Sequence, residues 1–279
     1  MFEWAELGRP AVMGVVNVTP DSFSDGGRYT DPDAAVAHGL ELAAAGADLL
    51  DVGGESTRPG AEGISAAEEL DRVLPVVARL AAEAGVPVSV DTTKSPVVAA
   101  ALDAGAVVVN DVSAGRADPA VLPIVAAAGA GFVAMHMRGE PRTMQDDPRY
   151  DDVVLDVEAF LARRLAEART AGIAPERLAA DPGIGFGKTV THNLVLLGAL
   201  RRLRERLDAP LVVGTSRKRF IGAVLRSVGE SDAEPDPTER EEGTLATVAW
   251  AVEHGADVVR VHDVGPSARV AALARRIAA

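Results

Sequence analysis

The sequence predicts an α/β fold, a single (β/α)₈ barrel with its active site at the carboxyl ends of the strands. A short motif that ends a helix and begins a strand recurs along the chain. Its strands are apolar almost throughout, as in a parallel sheet covered by helices on both faces. Eight strand–helix units fit into 279 residues, and such barrels need about 250. We therefore expect one TIM-barrel domain over residues 1–279, without a second domain.

The recurring motif places a glycine between an Ala-rich segment and a run of β-branched residues that ends in a polar side chain. Four copies contain Gly46, Gly105, Gly129 and Gly255, and a fifth begins at Gly85. Glycine accepts the left-handed backbone that terminates a helix, so each copy predicts a helix end followed by a strand.

The predicted strands run to polar or hydrogen-bonding residues, and helical segments follow them. Apolar residues recur with helical spacing over 33–45, 67–84 and 153–171, for example. The strands end near Asn17, Asp51, Asp91, Asn110, His136, Asp181, Thr215 and His262. A doubly wound sheet is the alternative, but residues 19–27 lack the G-x-G-x-x-G order expected after its first strand.

Three connecting segments differ from the short loops elsewhere. Residues 19–30 and 53–63 are rich in Gly, Pro, Asp and Ser and follow strands, which predicts long loops on the active face of the barrel. Residues 228–242 are acidic and interrupted by proline, which predicts a solvated surface loop.

Composition excludes several classes of protein. The chain has no cysteine, which excludes disulfides, zinc ribbons, iron–sulfur clusters and thiol nucleophiles. Its net charge of −13 argues against nucleic acid as a partner. No apolar run approaches the roughly 18 residues of a membrane span, and the first residues do not resemble a signal peptide. We expect a cytoplasmic protein that does not bind membranes.

Lysine is rare in this chain. Of 28 basic residues only Lys94, Lys188 and Lys218 are lysines, and all three follow predicted strand ends. Codon bias towards arginine would explain the scarcity. A second interpretation is that these positions need a compact ammonium that a guanidinium cannot replace.

Polar side chains at the strand ends predict a site, because the carboxyl ends of barrel strands converge on one mouth. Any one of them could serve a structural network, but together they indicate a ligand. Asp91, Asn110 and Asp181 suit the amino and amide edges of a flat heterocycle. With few cations expected nearby, they favour a ligand rich in N–H donors. The ten residues are Asn17, Asp51, Asp91, Asn110, His136, Asp181, Ser216, Lys218, Arg260 and His262.

The remaining members of this set suggest phosphate and cation binding. Arg260 and His262 lie two apart on one strand and face the same way, as in a clamp for phosphate oxygens. Asn17 could bind a hard cation such as Mg²⁺ through oxygen. Lys218 could form a Schiff base or donate hydrogen bonds, and its spacing does not decide between them. The histidines lack the H-x-H and H-E-x-x-H spacings of transition-metal sites.

Two long segments resemble signatures of the dihydropteroate synthase family, MGVVNVTPDSFSDGG at 13–27 and DVGGESTRPG at 51–60. Shorter matches continue in order at 91–94, 110–113, 135–136, 181–188, 216–220 and 260–262. The resemblance implies a pterin-binding TIM barrel that joins 6-hydroxymethyl-7,8-dihydropterin diphosphate to 4-aminobenzoate and releases pyrophosphate. It further implies a Mg²⁺ cofactor, inhibition by sulfonamides and a homodimer.

The same resemblance assigns roles to individual residues. Those implied in catalysis are Asp25, Arg58 and Lys218. The pterin would be held by Asp91, Asn110, Asp181 and Lys218, with Met135 packed on its ring. The diphosphate and Mg²⁺ would be held by Asn17, Arg260 and His262. The reacting carbon would be covered by Asp21, Phe23, Ser24 and Asp25 of the first loop and Thr57, Arg58 and Pro59 of the second. The aminobenzoate ring would lie between Phe186 and Pro59, with its carboxylate near Lys218.

One position departs from the family pattern, and two other functions stay open. Some members carry a small hydroxylic residue where this chain has Arg219, so contacts with the aminobenzoate carboxylate could differ here. The alternatives are a methyltetrahydrofolate:corrinoid methyltransferase-like barrel and a non-catalytic paralogue that binds pterin or diphosphate.

Overall fold

Eight parallel strands form one sheet that curves into a barrel. The computed structural model describes residues 2–8, 10–19, 31–57, 60–228 and 235–278. The strands follow the order β6-β5-β4-β3-β2-β1-β8-β7, and a parallel bridge between Ala180 and Leu211 joins the two ends. The predicted (β/α)₈ fold is confirmed. The strands are β1 (Ala11–Asn17), β2 (Leu49–Gly53), β3 (Val88–Asp91), β4 (Val108–Asp111), β5 (Gly131–Met135), β6 (Leu178–Asp181), β7 (Val212–Gly214) and β8 (Val258–Val261).

Helices surround this sheet, and the described residues contain ten of them. Two connections carry two helices each, one after β6 and one after β7. Within the described ranges, none of the helices is long and apolar enough to cross a bilayer. The helices are α1 (Pro32–Ala44), α2 (Ala66–Glu83), α3 (Ser95–Asp103), α4 (Val121–Ala128), α5 (Val153–Thr170), α6 (Val190–Gly198), α7 (Leu200–Leu207), α8 (Arg219–Ser227), α9 (Glu241–Glu253) and α10 (Val264–Ala278).

The glycine motif marks the helix-to-strand turns as predicted. Backbone φ is positive at all five glycines, between 64° at Gly129 and 109° at Gly105. The acidic segment 228–242 differs from its prediction, because Pro237–Arg240 forms a 3₁₀ turn that leads directly into α9. A capping box at Asp236, in which its side chain and that of Glu239 each accept a backbone N–H, begins that turn.

Strand register aligns the polar strand ends. Asp91 of β3 pairs with Asn110 of β4, and Met135 of β5 pairs with Asp181 of β6. On the other side, Gly214 of β7 pairs with Arg260 of β8. Because paired residues lie side by side, these side chains reach the mouth of the barrel at similar depth.

The opposite end of the barrel is closed by aromatic residues. Phe2 and Trp4 pack edge to face with ring centroids 5.0 Å apart, against a cluster that includes Met13, Leu49 and Val133. Trp4 Nε1 donates to the backbone carbonyl of Arg177 at 2.9 Å. With this end filled by apolar side chains, the polar strand ends form the accessible mouth.

Candidate active site

A cavity of about 730 Å³ opens at the carboxyl ends of the strands. Its lining comes from different elements of the barrel, from β1 through the segment after β8. Eight residues predicted from the sequence contribute to it, namely Asn17, Thr57, Asp91, Phe186, Ser216, Lys218, Arg260 and His262. A site at this end of the barrel was expected from the fold.

Arg260 joins two carboxylates at the centre of the mouth. Its Nε donates to Asp51 Oδ2 at 2.7 Å and its Nη2 to Asp91 Oδ2 at 2.8 Å. Asn110 Nδ2 donates to the same Asp51 oxygen at 2.9 Å. The expectation that few cations lie near the strand-end carboxylates is therefore wrong. Opposite charges converge here because a buried carboxylate is costly without a partner.

Burial changes the protonation of these carboxyl groups. It raises the pKa of Asp91 from 3.8 to about 7, since Arg260 offsets only part of the cost and Asp51 adds repulsion. Burial also raises the pKa of Asp181, against the attraction of Lys218. Although burial acts in the opposite sense, Asp51 and Asp91 raise the pKa of Arg260 above its usual value. Asp91 thus titrates near neutral pH, and Arg260 stays charged.

The segment 182–188 forms one wall of the cavity, and Lys188 holds it from behind. The buried Nζ donates to the carbonyls of Gly183 at 2.9 Å and Phe186 at 3.0 Å, and lies 2.9 Å from His136 Nδ1. Burial lowers the pKa of Lys188 well below its usual value. Burial and the nearby Lys188 lower the pKa of His136 to about 2. This strand-end histidine therefore supports the wall as a neutral ring.

Gly183 fits this wall because it has no side chain. Its φ is +66°, and an added Cβ would lie 1.8 Å from the carbonyl oxygen of His136. Its N–H donates to Asp181 Oδ1 at 2.6 Å. The turn therefore holds one oxygen of the predicted pterin-binding carboxylate in place.

Lys218 approaches the same wall from the cavity side. Its Nζ donates to the carbonyl of Ile184 and lies 4.6 Å from the centroid of the Phe186 ring. Burial lowers its pKa to about 8, opposed by the attraction of Asp181. An ammonium over an aromatic ring is a cation–π contact, which fixes Phe186 and Lys218 relative to each other.

Ser216 orients the histidine of the predicted phosphate clamp. Its Oγ accepts the backbone N–H of His262 at 3.2 Å and lies 3.0 Å from the ring atom Nδ1 of His262. Ser216, His262 and Arg260 all line the cavity. The structure thus brings the two members of the clamp to the same space, as their spacing predicted.

Three predicted ligand residues do not line the cavity and are buried behind it. Asn110 and Asp181 are each 5% exposed and Met135 is 4% exposed. Met135 packs in a small cluster against which Phe186 also packs. The predicted residues Asp21, Phe23, Ser24, Asp25, Arg58 and Pro59 lie outside the described residues, as does most of the loop 19–30.

Several residues at the cavity were not predicted from the sequence. Glu55 lines it, two positions after the end of β2, and its place in the second signature was a usable signal. Arg240 also lines it and is 5% exposed; it donates to the carbonyls of Arg217 and Pro235. Its acidic surroundings in the sequence concealed that role. Arg219, the departure from the family pattern, begins α8 and lines the cavity as well.

Oxygen atoms are the available ligands for a hard cation at this site. In the part of the chain that is described, no three histidine or acidic side chains gather as a metal site. Mg²⁺, however, often binds one or two protein oxygens together with substrate phosphates. The amide oxygen of Asn17 in the cavity lining suits that mode of binding.

Comparison with known proteins assigns the family. The family described as pterin binding enzyme matches residues 13–262. Dihydropteroate synthase of Mycobacterium leprae is 51% identical over 257 residues, which cover 92% of this chain and 89% of that protein. The chain belongs to the dihydropteroate synthase family. It is therefore a transferase with the folate-synthesis chemistry of that family.

Solved structures agree with this family assignment. Yersinia pestis dihydropteroate synthase in complex with a sulfonamide drug superposes with a TM-score of 0.91 at 41% identity, covering 99% of this chain and 96% of that one. The Xanthomonas albilineans enzyme with 4-aminobenzoic acid gives a TM-score of 0.87 at 49% identity, covering 97% and 94%.

Proposed function

We propose that the cavity condenses 6-hydroxymethyl-7,8-dihydropterin diphosphate with 4-aminobenzoate to give 7,8-dihydropteroate and pyrophosphate. The observation that carries this proposal is the arrangement of Arg260, Asp91 and Lys218 around one cavity. It offers acceptors for a heterocycle, donors for a diphosphate and an aromatic wall for an arylamine. The 4-aminobenzoic acid complex of the X. albilineans relative supports the second substrate.

The pterin would bind at the deep end of the cavity. Carboxylates of Asp91 and Asp181 accept hydrogen bonds, and the amide of Asn110 can both donate and accept, which matches the amino and amide edges of a pterin. Met135, buried beside Asp181 in the sheet, would pack against the ring. Lys218, drawn towards Asp181, would donate to the acceptor atoms of the ring.

The diphosphate would bind between Asn17, Arg260 and His262. Arg260 uses Nε and Nη2 for its carboxylates, which leaves Nη1 to donate to phosphate. His262 would donate from Nε2, because Ser216 lies at Nδ1. Bound Mg²⁺, held by Asn17 and the phosphates, would supply charge neutralisation of the leaving group.

In the reaction, a C–O bond at the methylene carbon of the pterin is replaced by a C–N bond. The C–O bond to the diphosphate breaks and pyrophosphate leaves with the electron pair, while the amine nitrogen forms a C–N bond and loses a proton. The electron-rich pterin spreads the developing positive charge, which carboxylates of Asp91 and Asp181 stabilise. The arylamine is already neutral at pH 7, so the site needs no strong general base.

The arylamine would enter against Phe186, beneath Lys218. Its carboxylate would meet Lys218 and neighbouring backbone amides, and the donor interpretation of Lys218 thereby replaces the Schiff base. Water competes with the amine for the reacting carbon, so the site must exclude it. We assign that task to the two loops, through Asp21, Phe23, Ser24 and Asp25 on one and Thr57, Arg58 and Pro59 on the other, with Asp25 and Arg58 acting in catalysis.

We also propose that the protein is a homodimer formed through its last two helices. Trp250 on α9 is 47% exposed, and Leu273 and Ile277 on α10 are 60% and 77% exposed. Large apolar side chains left in water on adjacent helices are typical of a surface that another subunit covers.

The deciding experiment measures pyrophosphate release from the pterin diphosphate, with and without 4-aminobenzoate and Mg²⁺. Turnover should require all three, and Lys218→Ala should lower it by about 100-fold because a preorganised donor is lost. Arg206→Ala, on the exposed face of α7, is the control and should match the wild type. Substrate binding without turnover would instead identify a non-catalytic paralogue.

A further inference from the structure

Lys94 connects the core of the barrel to the second loop, residues 53–63. It lies three residues after the end of β3 and occupies the N-cap position of α3, where its side chain makes no capping bond. Its Nζ donates to Glu69 Oε2 at 2.5 Å and to Glu55 Oε2. Glu69 belongs to α2 and Glu55 to the second loop, so one ammonium joins three elements.

Burial of the Glu69 carboxylate costs free energy, and a structural role alone would not require a charged group at this position. Its side chain is 0% exposed, and among the described residues its Oε1 has no hydrogen-bond partner. An apolar pair of the same size is often as stable as a buried ion pair or more so. Burial lowers the pKa of Lys94, but its bonds to Glu55 and Glu69 outweigh burial and raise it. The cation therefore stays charged at neutral pH and continues to attract both carboxylates.

Glu55 fixes both ends of the second loop. While Oε2 binds Lys94, Oε1 accepts the backbone N–H of Ile64 at 3.3 Å. The preceding residue is held too, because Arg72 Nη1 donates to the carbonyl of Gly54 at 2.9 Å. Gly54 itself lies so close to α2 that an added Cβ would be 2.7 Å from Val73. The base of the loop is thus pinned against α2 and Lys94.

The residues that follow this anchor belong to the cavity. Glu55, Ser56 and Thr57 all line it. The far side of the loop is held as well, because Gly60 donates its N–H to the carbonyl of Pro141 at 3.3 Å. Any displacement of Glu55 would move Thr57, only two residues away, relative to the strand ends that bind the pterin.

We propose that Lys94 is a positioning residue for the transfer step: by holding Glu55 against Glu69, it keeps Ser56 and Thr57 of the second loop in place at the cavity. The proposal rests on the function proposed above for that loop. It also gives a reason for lysine at this position, since a compact ammonium with three donors can meet two carboxylates at one point.

Two variants separate positioning from stability. Lys94→Met leaves the carboxylate of Glu69 buried without a cation and should lower the melting temperature. Lys94→Met/Glu69→Leu removes both charges and should recover the melting temperature, while Glu55 stays unanchored. Hydrogen exchange at the backbone amide of Ile64 should accelerate in both variants, because Glu55 no longer holds its acceptor oxygen there.

Kinetics of the double variant test the functional part. We expect kcat to fall by about tenfold or more, because small displacements of positioning groups are costly. The dissociation constant of the pterin diphosphate should change by less than about twofold, since its ligands are on the strands. The matched control is Arg204→Met, which removes the cation from the carboxylate of Asp257, 2.6 Å away. It should lower the melting temperature without changing kcat or the exchange of Ile64.

Each outcome decides a separate question. Wild-type kcat in the recovered double variant would overturn the proposal, and so would unchanged exchange at Ile64. Absence of turnover in the wild-type protein would refute the proposed function instead. The exchange measurement would still show whether Lys94 anchors the loop.

Discussion

Arg260 organises the mouth of the barrel at the scale of a single residue. It binds Asp51 and Asp91 on two other strands, and Asp51 in turn accepts from Asn110. A change in the charge of Asp91 therefore alters the guanidinium that it shares with Asp51. With the ligand positions proposed above, this one guanidinium would couple the binding of pterin and diphosphate.

The pH dependence of kcat/KM for the pterin substrate follows from two of these side chains. Burial holds the pKa of Asp91 at about 7 and that of Lys218 at about 8. Because the carboxylate must be ionised to accept N–H bonds, activity should rise with pH through about 7. It should fall through about 8 as Lys218 loses its proton. Pyrophosphate release at limiting pterin diphosphate would measure both limbs of this pH profile, the rise on the acidic side and the fall on the basic side.

Asp91→Asn separates these two limbs. An amide does not titrate, so the acidic limb should disappear at reduced overall activity while the basic limb remains. A wild-type acidic limb in this variant would assign it to a different group. The pterin diphosphate is titrated in the absence of protein, and its phosphate pKa values are used to correct the pH profile for ionisation of the substrate.

At the scale of elements, the wall 182–188 shows how a loop is made rigid without regular structure. Lys188 satisfies the carbonyls of Gly183 and Phe186 from inside, and Tyr150 Oη donates to the carbonyl of Gly187 at 2.8 Å. Asn193 accepts the N–H of Gly185 at 2.7 Å. The position of Phe186 is therefore set by hydrogen bonds within the wall and to the elements behind it.

Gly183→Ala should disrupt this wall. The new Cβ would meet the carbonyl oxygen of His136 at 1.8 Å with φ at +66°, so we expect a loss of more than about 3 kcal/mol of unfolding free energy. The control is Gly198→Ala at the end of α6, where a Cβ meets nothing within 4 Å. Its expected gain is about 0.5 kcal/mol. Urea unfolding compares the two, and equal stabilities would refute the strain argument.

The elements themselves were predictable from the sequence, whereas many contacts between them were not. Gly105 followed by Val107, Val108 and Val109 signals a helix end and a buried strand because both effects are local. Arg260 and Asp51 are separated by 209 positions, and nothing local in the sequence indicates that they form a pair. Lys94 was conspicuous as a rare lysine, but its partners come from a loop and a helix distant in sequence.

For the whole molecule, the exposed apolar residues of α9 and α10 test the proposed dimer. Leu273→Glu should shift the protein from dimer to monomer, because a charge at a buried interface must be desolvated. Sedimentation velocity measures the change. The matched control is Leu155→Glu on α5, where the leucine is 49% exposed. A wild-type dimer that survives Leu273→Glu would place the interface elsewhere.

The closure of the barrel is unequal around its circumference. Within the described residues, β6 and β7 meet through the single bridge between Ala180 and Leu211, and β7 is only three residues long. Every other neighbouring pair shares at least three paired positions. The ring therefore has a seam, and it runs between the strands that lead to Phe186 and Lys218. Local opening costs least where few backbone bonds must break, so we expect the barrel to open most readily along this seam, beside the wall against which the arylamine is proposed to bind.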